Sequence, residues 1–120
     1  MYYLNKAREI ALNNSHQYHL AAWTKRGSSV IFGMNSSRAS TKFKRIYADG
    51  NEGFHLHAEM DLIRKFKPGE ISEITVVRFS KNGRLTMSKP CLYCQRFLKR
   101  HGVRKVHYTE WDGTWEIMRL

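Results

Sequence analysis

Cysteine is nearly missing from this chain, which has two, Cys91 and Cys94, both inside one C-x-x-C. No second pair remains for a disulfide framework, which suits a reducing compartment. Acidic residues are also few, 10 Asp and Glu against 21 Lys and Arg, leaving a formal charge of +11 spread along the chain. A field of that sign attracts phosphates, so nucleic acid or a phosphorylated nucleotide is the expected partner, with a merely solvated basic surface as the alternative. Long apolar runs are absent. Nothing approaches the ~18 consecutive apolar residues of a membrane span, and no apolar run follows a basic start as in a signal peptide. A cytoplasmic protein with no membrane partner is expected. There is no internal repeat, low-complexity tract or composition break, and with 42% apolar residues a single domain over 1–120 can bury its own core.

What is present orders itself into alternating helices and strands. Tyr3, Leu4, Ala7, Ile10 and Ala11 recur at helical spacing, with Asn13-Asn14-Ser15 as a stop. Two short apolar runs, Tyr18 to Trp23 and Ser29 to Met34, flank Lys25-Arg26-Gly27-Ser28 and predict a β-hairpin ending at Asn35. Residues 36–54 show no sustained periodicity, and connections of that length inside a compact domain are usually functional or mobile. A helix is predicted from about His57 to Phe66, closed by Lys67-Pro68-Gly69, followed by a buried central strand over Ile74 to Phe79. Asn82-Gly83 turns the chain into Arg84 to Met87, and the next helix runs from Pro90 to His101-Gly102. Val103 to Glu110 and Thr114 to Leu120 are predicted strands separated only by Trp111-Asp112-Gly113. A parallel return needs a crossover of about a dozen residues, so these two must form an antiparallel hairpin.

The chemistry gathers at two helix starts. Cys91 and Cys94, three apart, fall on one helix face and can grip one metal ion. The positive end of the helix favours their thiolate forms, which are the forms that bind metal. His57-Ala58-Glu59 supplies a third borderline ligand and a free carboxylate. Two thiolates and a neutral imidazole balance Zn²⁺ and leave its fourth position to water, whose pKa falls from ~15.7 toward ~7. On a regular helix His57 and Glu59 would point about 200° apart. Both can serve one site only if His57 sits at or before the first turn, with Glu59 then moving protons. Taken alone, the C-x-x-C also fits a dithiol redox pair or two buried cysteines, and His55 is a competing ligand. His16, His19, His101 and His107 are most simply surface or satisfied core histidines.

The order His57-Ala58-Glu59, then Ser88-Lys89-Pro90-Cys91-Leu92-Tyr93-Cys94, then Gly102-Val103-Arg104-Lys105-Val106, with the hairpin ending Gly33-Met34-Asn35, resembles the cytidine deaminase-like superfamily over nearly the whole chain. The resemblance implies an α/β domain of three layers with a mixed five-stranded sheet. It implies zinc on His57, Cys91 and Cys94, and Glu59 as proton shuttle. It also implies that the backbone at Ala58 and Cys91 lines a pocket and that Asn35 contacts the nucleoside. Two departures stand out. The branch acting on tRNA adenosine, deoxycytidylate and polynucleotide cytosine carries a helix between the last two strands, which this chain lacks. Free-cytidine deaminases share the closing hairpin but commonly have Cys where this chain has His57.

Cations interleaved with aromatics can hold phosphates and stack bases. Arg38, Lys42, Lys44 and Arg45 stand among Phe43 and Tyr47 directly before the catalytic segment; Lys89, Arg96, Lys99 and Arg100 add a second basic region. Lys42, Lys44 and Arg45 are thus candidate substrate contacts, with Phe43 and Tyr47 as loop anchors the alternative. The expected activity is zinc-dependent hydrolytic deamination of a cytosine base in a phosphorylated substrate, a nucleotide such as deoxycytidylate or single-stranded nucleic acid. Adenine in RNA is the next candidate. A non-catalytic, zinc-stabilised nucleic-acid-binding module and a dithiol oxidoreductase are the rivals from other classes. A homo-oligomer is compatible with all of these.

Overall fold

The computed structural model describes residues 2–12, 19–39, 45–46, 52–53 and 55–120. Helix α1 (Tyr2–Leu12) leads into strands β1 (His19–Arg26) and β2 (Ser29–Met34). Short strands β3 (Ser36–Ala39), β4 (Arg45–Ile46), β5 (Glu52–Gly53) and β6 (His55–Leu56) precede helix α2 (Ala58–Ile63). Then come β7 (Glu73–Phe79), β8 (Leu85–Thr86), helix α3 (Leu92–Arg100), β9 (Lys105–Thr109) and β10 (Trp115–Arg119).

The main sheet runs β10-β9-β7-β1-β2, with β8 added on β7. Only β7 and β9 are parallel, joined by a crossover through α3, while β1, β2 and β10 pair antiparallel with their neighbours. The mixed sheet and its closing antiparallel hairpin are as expected, and β8 makes a sixth strand of only two residues. The 36–54 region does hold backbone pairing, β3 with β6 and β4 with β5. Strands of two to four residues are too short to register as a period in the sequence.

Alternation along each strand divides the core between two faces. Ala21, Trp23, Val77 and Phe79 turn toward Ala7 and Ala11 of α1. Ala22, Ile74, Val76 and Val106 turn toward Leu62 and Ile63 of α2 and Leu98 of α3. Helix, sheet and helix pair thus form three layers. The β-branched stretch Ile74-Thr75-Val76-Val77 of β7 reflects burial on both faces. Leu62, Ile63 and Leu98 are fully buried, and each contributes roughly 1.5–3 kcal/mol of apolar burial. That packing anchors the helices whose N-termini carry the candidate ligands.

Helix α2 is shorter than the periodicity predicts, since Arg64 and Lys65 form a turn before buried Phe66. Its placement depends on Gly33. A Cβ there would lie 2.5 Å from the Leu62 nitrogen and 2.7 Å from the Ala58 oxygen, both backbone atoms. Asp61 completes the join: its Oδ2 accepts the Met34 N–H at 3.0 Å, while Oδ1 pairs with the Arg64 guanidinium at 2.7 Å. Among the described residues no helix is long and apolar enough to cross a membrane.

Candidate metal centre

His57 is the N-cap of α2, with extended backbone at φ −84° and ψ 154°. The helix begins from its carbonyl, which accepts the Asp61 N–H at 2.9 Å. The two-residue offset to Glu59 is resolved in this way, because the His57 side chain leaves the chain before helical geometry sets in. Cys91 occupies the same position on α3, extended at φ −65° and ψ 164°, its carbonyl accepting the Gln95 N–H at 2.9 Å. Cys94 follows on the buried face of α3. Two helix starts therefore face one another.

His57 Nδ1 lies 3.0 Å from Cys94 Sγ and 4.0 Å from Cys91 Sγ. The three ligand atoms all fall within 4.8 Å of one another. Tetrahedral zinc, with Zn–S near 2.3 Å and Zn–N near 2.0 Å, separates a ligand nitrogen from a ligand sulfur by about 3.5 Å. The two measured distances bracket that value, so the donor set fits a metal ion of zinc's size and preference. Among the described residues this cluster holds three donors and no fourth.

The electrostatics agree with that chemistry. The Cys91 thiol is lowered to about 4, chiefly by a hydrogen bond from the Cys94 side chain and also by His57, against the opposing effect of burial. Neighbouring side chains therefore carry much of an effect that sequence reasoning assigned to the helix terminus. Glu59 is pushed the other way. It is 3% exposed, and burial raises its carboxyl above the ordinary range, with Cys91 adding to the rise and His57 opposing it. Its Oε1 has no hydrogen-bond partner among the described residues. A buried carboxyl oxygen left unpaired beside two thiols and an imidazole is costly to folding.

The loop before Cys91 is held by a polar network that no motif announced. Ser88 is buried; its Oγ donates to the Val76 carbonyl at 2.8 Å and accepts the Thr109 N–H at 2.7 Å. Thr109 Oγ1 in turn donates to the Thr86 carbonyl at 2.6 Å. Gln95 Nε2 closes the turn by donating to the Pro90 carbonyl at 2.9 Å. The only sequence signal was a Ser three residues before the cysteine, too common a pattern to single out.

The other expected site residues are placed unevenly. Ala58 is fully buried as the first residue of α2. Asn35 is buried at the end of β2, where its Oδ1 accepts the Leu20 N–H at 3.0 Å and ties β1 to β2. Lys42, Phe43, Lys44 and Tyr47 lie outside the described residues; Arg38, Arg45 and His55 are described only as backbone in β3, β4 and β6. Lys89, Arg96, Lys99 and Arg100 are exposed.

Comparison with solved structures shows where this fold recurs. Cytidine deaminase from Burkholderia pseudomallei superposes with a TM-score of 0.61 at 20% identity, over 98% of this chain and 91% of that one. The chain has the cytidine deaminase fold. The enzyme from Mycobacterium leprae matches at TM-score 0.55 and 17% identity, over 95% of this chain and 88% of that one. The dCMP deaminase of cyanophage S-TIM5, solved with dCMP and dUMP, matches at 0.52 and 20%, over 91% and 79%. No family model and no curated protein sequence matches the chain. At such identities the cytidine deaminase fold is shared while the residues around the cluster must speak for themselves.

Proposed function

We propose that the protein is a zinc-dependent deaminase that hydrolyses the amino group of a cytosine base in a phosphorylated substrate. His57, Cys91 and Cys94 would hold the metal. Bound there, zinc supplies a Lewis acid that makes water nucleophilic at neutral pH. Glu59 takes a proton from the attacking water, passes it to the ring nitrogen and later delivers a proton to the amine. The water oxygen becomes the new carbonyl and ammonia leaves. Burial raises the Glu59 carboxyl above the ordinary carboxylate range, which favours its holding a proton, as this relay requires.

The observation that carries the reading is the unpaired, buried Oε1 of Glu59 beside a three-donor cluster. A structural zinc site closes its coordination with a fourth ligand and has no use for an unligated carboxylate. That argues against a merely stapled binding module. Cytosine is favoured over adenine because the similar structures are a cytidine deaminase and a dCMP deaminase solved with dCMP and dUMP. A phosphorylated form is favoured by the +11 charge.

The test is to incubate zinc-loaded protein with cytidine, deoxycytidylate, adenosine nucleotides and single-stranded DNA or RNA, following ammonia release, beside Glu59→Ala. Deamination of a cytosine substrate that disappears in the variant while zinc is retained supports the reading. Full activity in the variant, or a redox-active Cys91–Cys94 pair with no bound zinc, overturns it.

A further inference from the structure

The closing hairpin carries an aromatic and cationic face that the chemistry above does not use. Trp115 and Ile117 alternate along β10, so their side chains share one side of the sheet. It is the side opposite α2 and α3, since Met118 and its partner Val106 belong to the core beneath those helices. On the Trp115 side α1 packs over β1 and β7, through Ala21, Trp23, Val77 and Phe79. At the hairpin, Trp115 is 41% exposed, Ile117 53% and Trp111, in the connecting turn, 70%. Apolar surface of this kind, gathered in one place, marks an interaction site.

The polar groups around it are mostly basic. Ile117 stands opposite His107 and Arg119 opposite Lys105. Glu73, on neighbouring β7, pairs with His107, and its carboxyl is held below the usual range by His107 first and then by Lys105 and Arg119. One acid is thus surrounded by three basic side chains. Past the turn, Trp111 borders a groove of about 670 Å³ lined by two cations, Arg8 and Arg84, against one acid, Asp112, and by Leu85.

We propose that this face of the β9–β10 hairpin binds single-stranded nucleic acid, with Trp111 and Trp115 stacking bases and Lys105, Arg119 and Arg84 meeting phosphates. Stacking platforms flanked by cations are what such strands require, and every base offers a ring face. Charge disfavours a second copy of the chain as occupant, because pairing two such faces would bring one basic patch against another. The exposed cations of α3, Arg96, Lys99 and Arg100, have only the half-buried Tyr93 and Phe97 among them. The turn end of the hairpin is joined through the backbone to the loop before Cys91. Trp115 pairs with Thr109, whose carbonyl accepts the Ser88 N–H at 2.9 Å, three residues before Cys91. The inference deepens the proposed function by making the substrate a polymer, and it rests on that reading for this consequence only; the binding itself rests on the hairpin.

The experiment is fluorescence anisotropy of a labelled, ~12-nucleotide oligothymidylate, which contains no cytosine and so reads binding independently of deamination. Zinc-loaded protein should bind it, and Trp111→Ala with Trp115→Ala should weaken binding by about tenfold or more. Lys105→Glu with Arg119→Glu should also weaken it and flatten the salt dependence by about 0.7 in slope for each phosphate no longer neutralised. Thermal melts confirm folding, and the second pair serves if the first is destabilised. No binding by the unaltered protein at low salt overturns the inference, as does unchanged affinity in both folded variants. It is likewise overturned if sedimentation shows a dimer that the Trp variants dissociate with affinity for the strand intact. Binding without any deamination would leave the inference standing and remove the proposed function instead.

Discussion

Replacing Glu59 with Gln should make the metal-free protein more stable and the zinc-loaded protein inactive. In the folded chain Glu59 is 3% exposed with Oε1 unpaired, and burial raises its carboxyl above the ordinary value. The sign follows from linkage: a carboxyl with a raised folded-state pKa costs nothing at low pH, where it is protonated in both states. The cost grows as pH climbs from the unfolded value near 4.5 and levels off above the raised one. Keeping a buried carboxylate charged without full compensation costs about 1–3 kcal/mol, and Gln, neutral at every pH, removes that cost. For a domain of this size roughly 4 °C in Tm accompanies each kcal/mol, so the metal-free variant should melt about 4–12 °C higher at pH 7.5. The two proteins should converge near pH 4. With zinc restored, the metal content should match the unaltered chain while turnover falls by ~10²–10⁴-fold, the usual contribution of a positioned acid–base group. Melts of metal-free protein at both pH values, with ammonia release and zinc analysis on the loaded protein, read all three effects. A variant that is less stable at pH 7.5, or whose advantage does not shrink toward pH 4, would refute the reasoning.

Further consequences concern the scaffold. His57→Ala should abolish tight zinc binding, seen as loss of metal after dialysis, because only two donors of the cluster remain. Gly33→Ala should cost about 1–3 kcal/mol or more in denaturant unfolding, since its Cβ would lie 2.5 Å from a backbone nitrogen of α2 that cannot swing aside. Ser88→Ala leaves the Thr109 N–H and Val76 carbonyl without their buried partner, for about 1–3 kcal/mol, and should weaken zinc binding. In metal-free protein Cys91 should be a thiolate at neutral pH, with its alkylation rate falling only as pH drops through about 4. Because that folded pKa is depressed, its contribution to stability is complete above the unfolded value of 9.0 and is lost as pH falls toward 4.

The parts of the site legible in the sequence were those set by covalent spacing. Cys91 and Cys94 sit on one face because α-helical geometry puts residues three apart together, and His57 had to precede the first turn because no regular helix could align it with Glu59. The closing hairpin followed from counting residues between strands. Effects that depend on approach through space were hidden. Gly33 shows in a sequence only as a glycine, and its purpose emerges when α2 is laid on β2. Ser88 looked like any loop serine until Val76 and Thr109 arrived from other strands. Trp115 and Ile117 showed only as part of a closing strand, and it is the reach of α1 across β1 and β7, and no further, that leaves them exposed.

The central claim is that His57, Cys91 and Cys94 hold one zinc ion with a fourth position open beside Glu59. X-ray absorption at the zinc edge of the purified protein tests it most directly. The account predicts one zinc per chain with two sulfur neighbours near 2.3 Å, one imidazole nitrogen near 2.0 Å and one further light atom from solvent. A shell with a second imidazole, or a protein that binds no zinc, would contradict it.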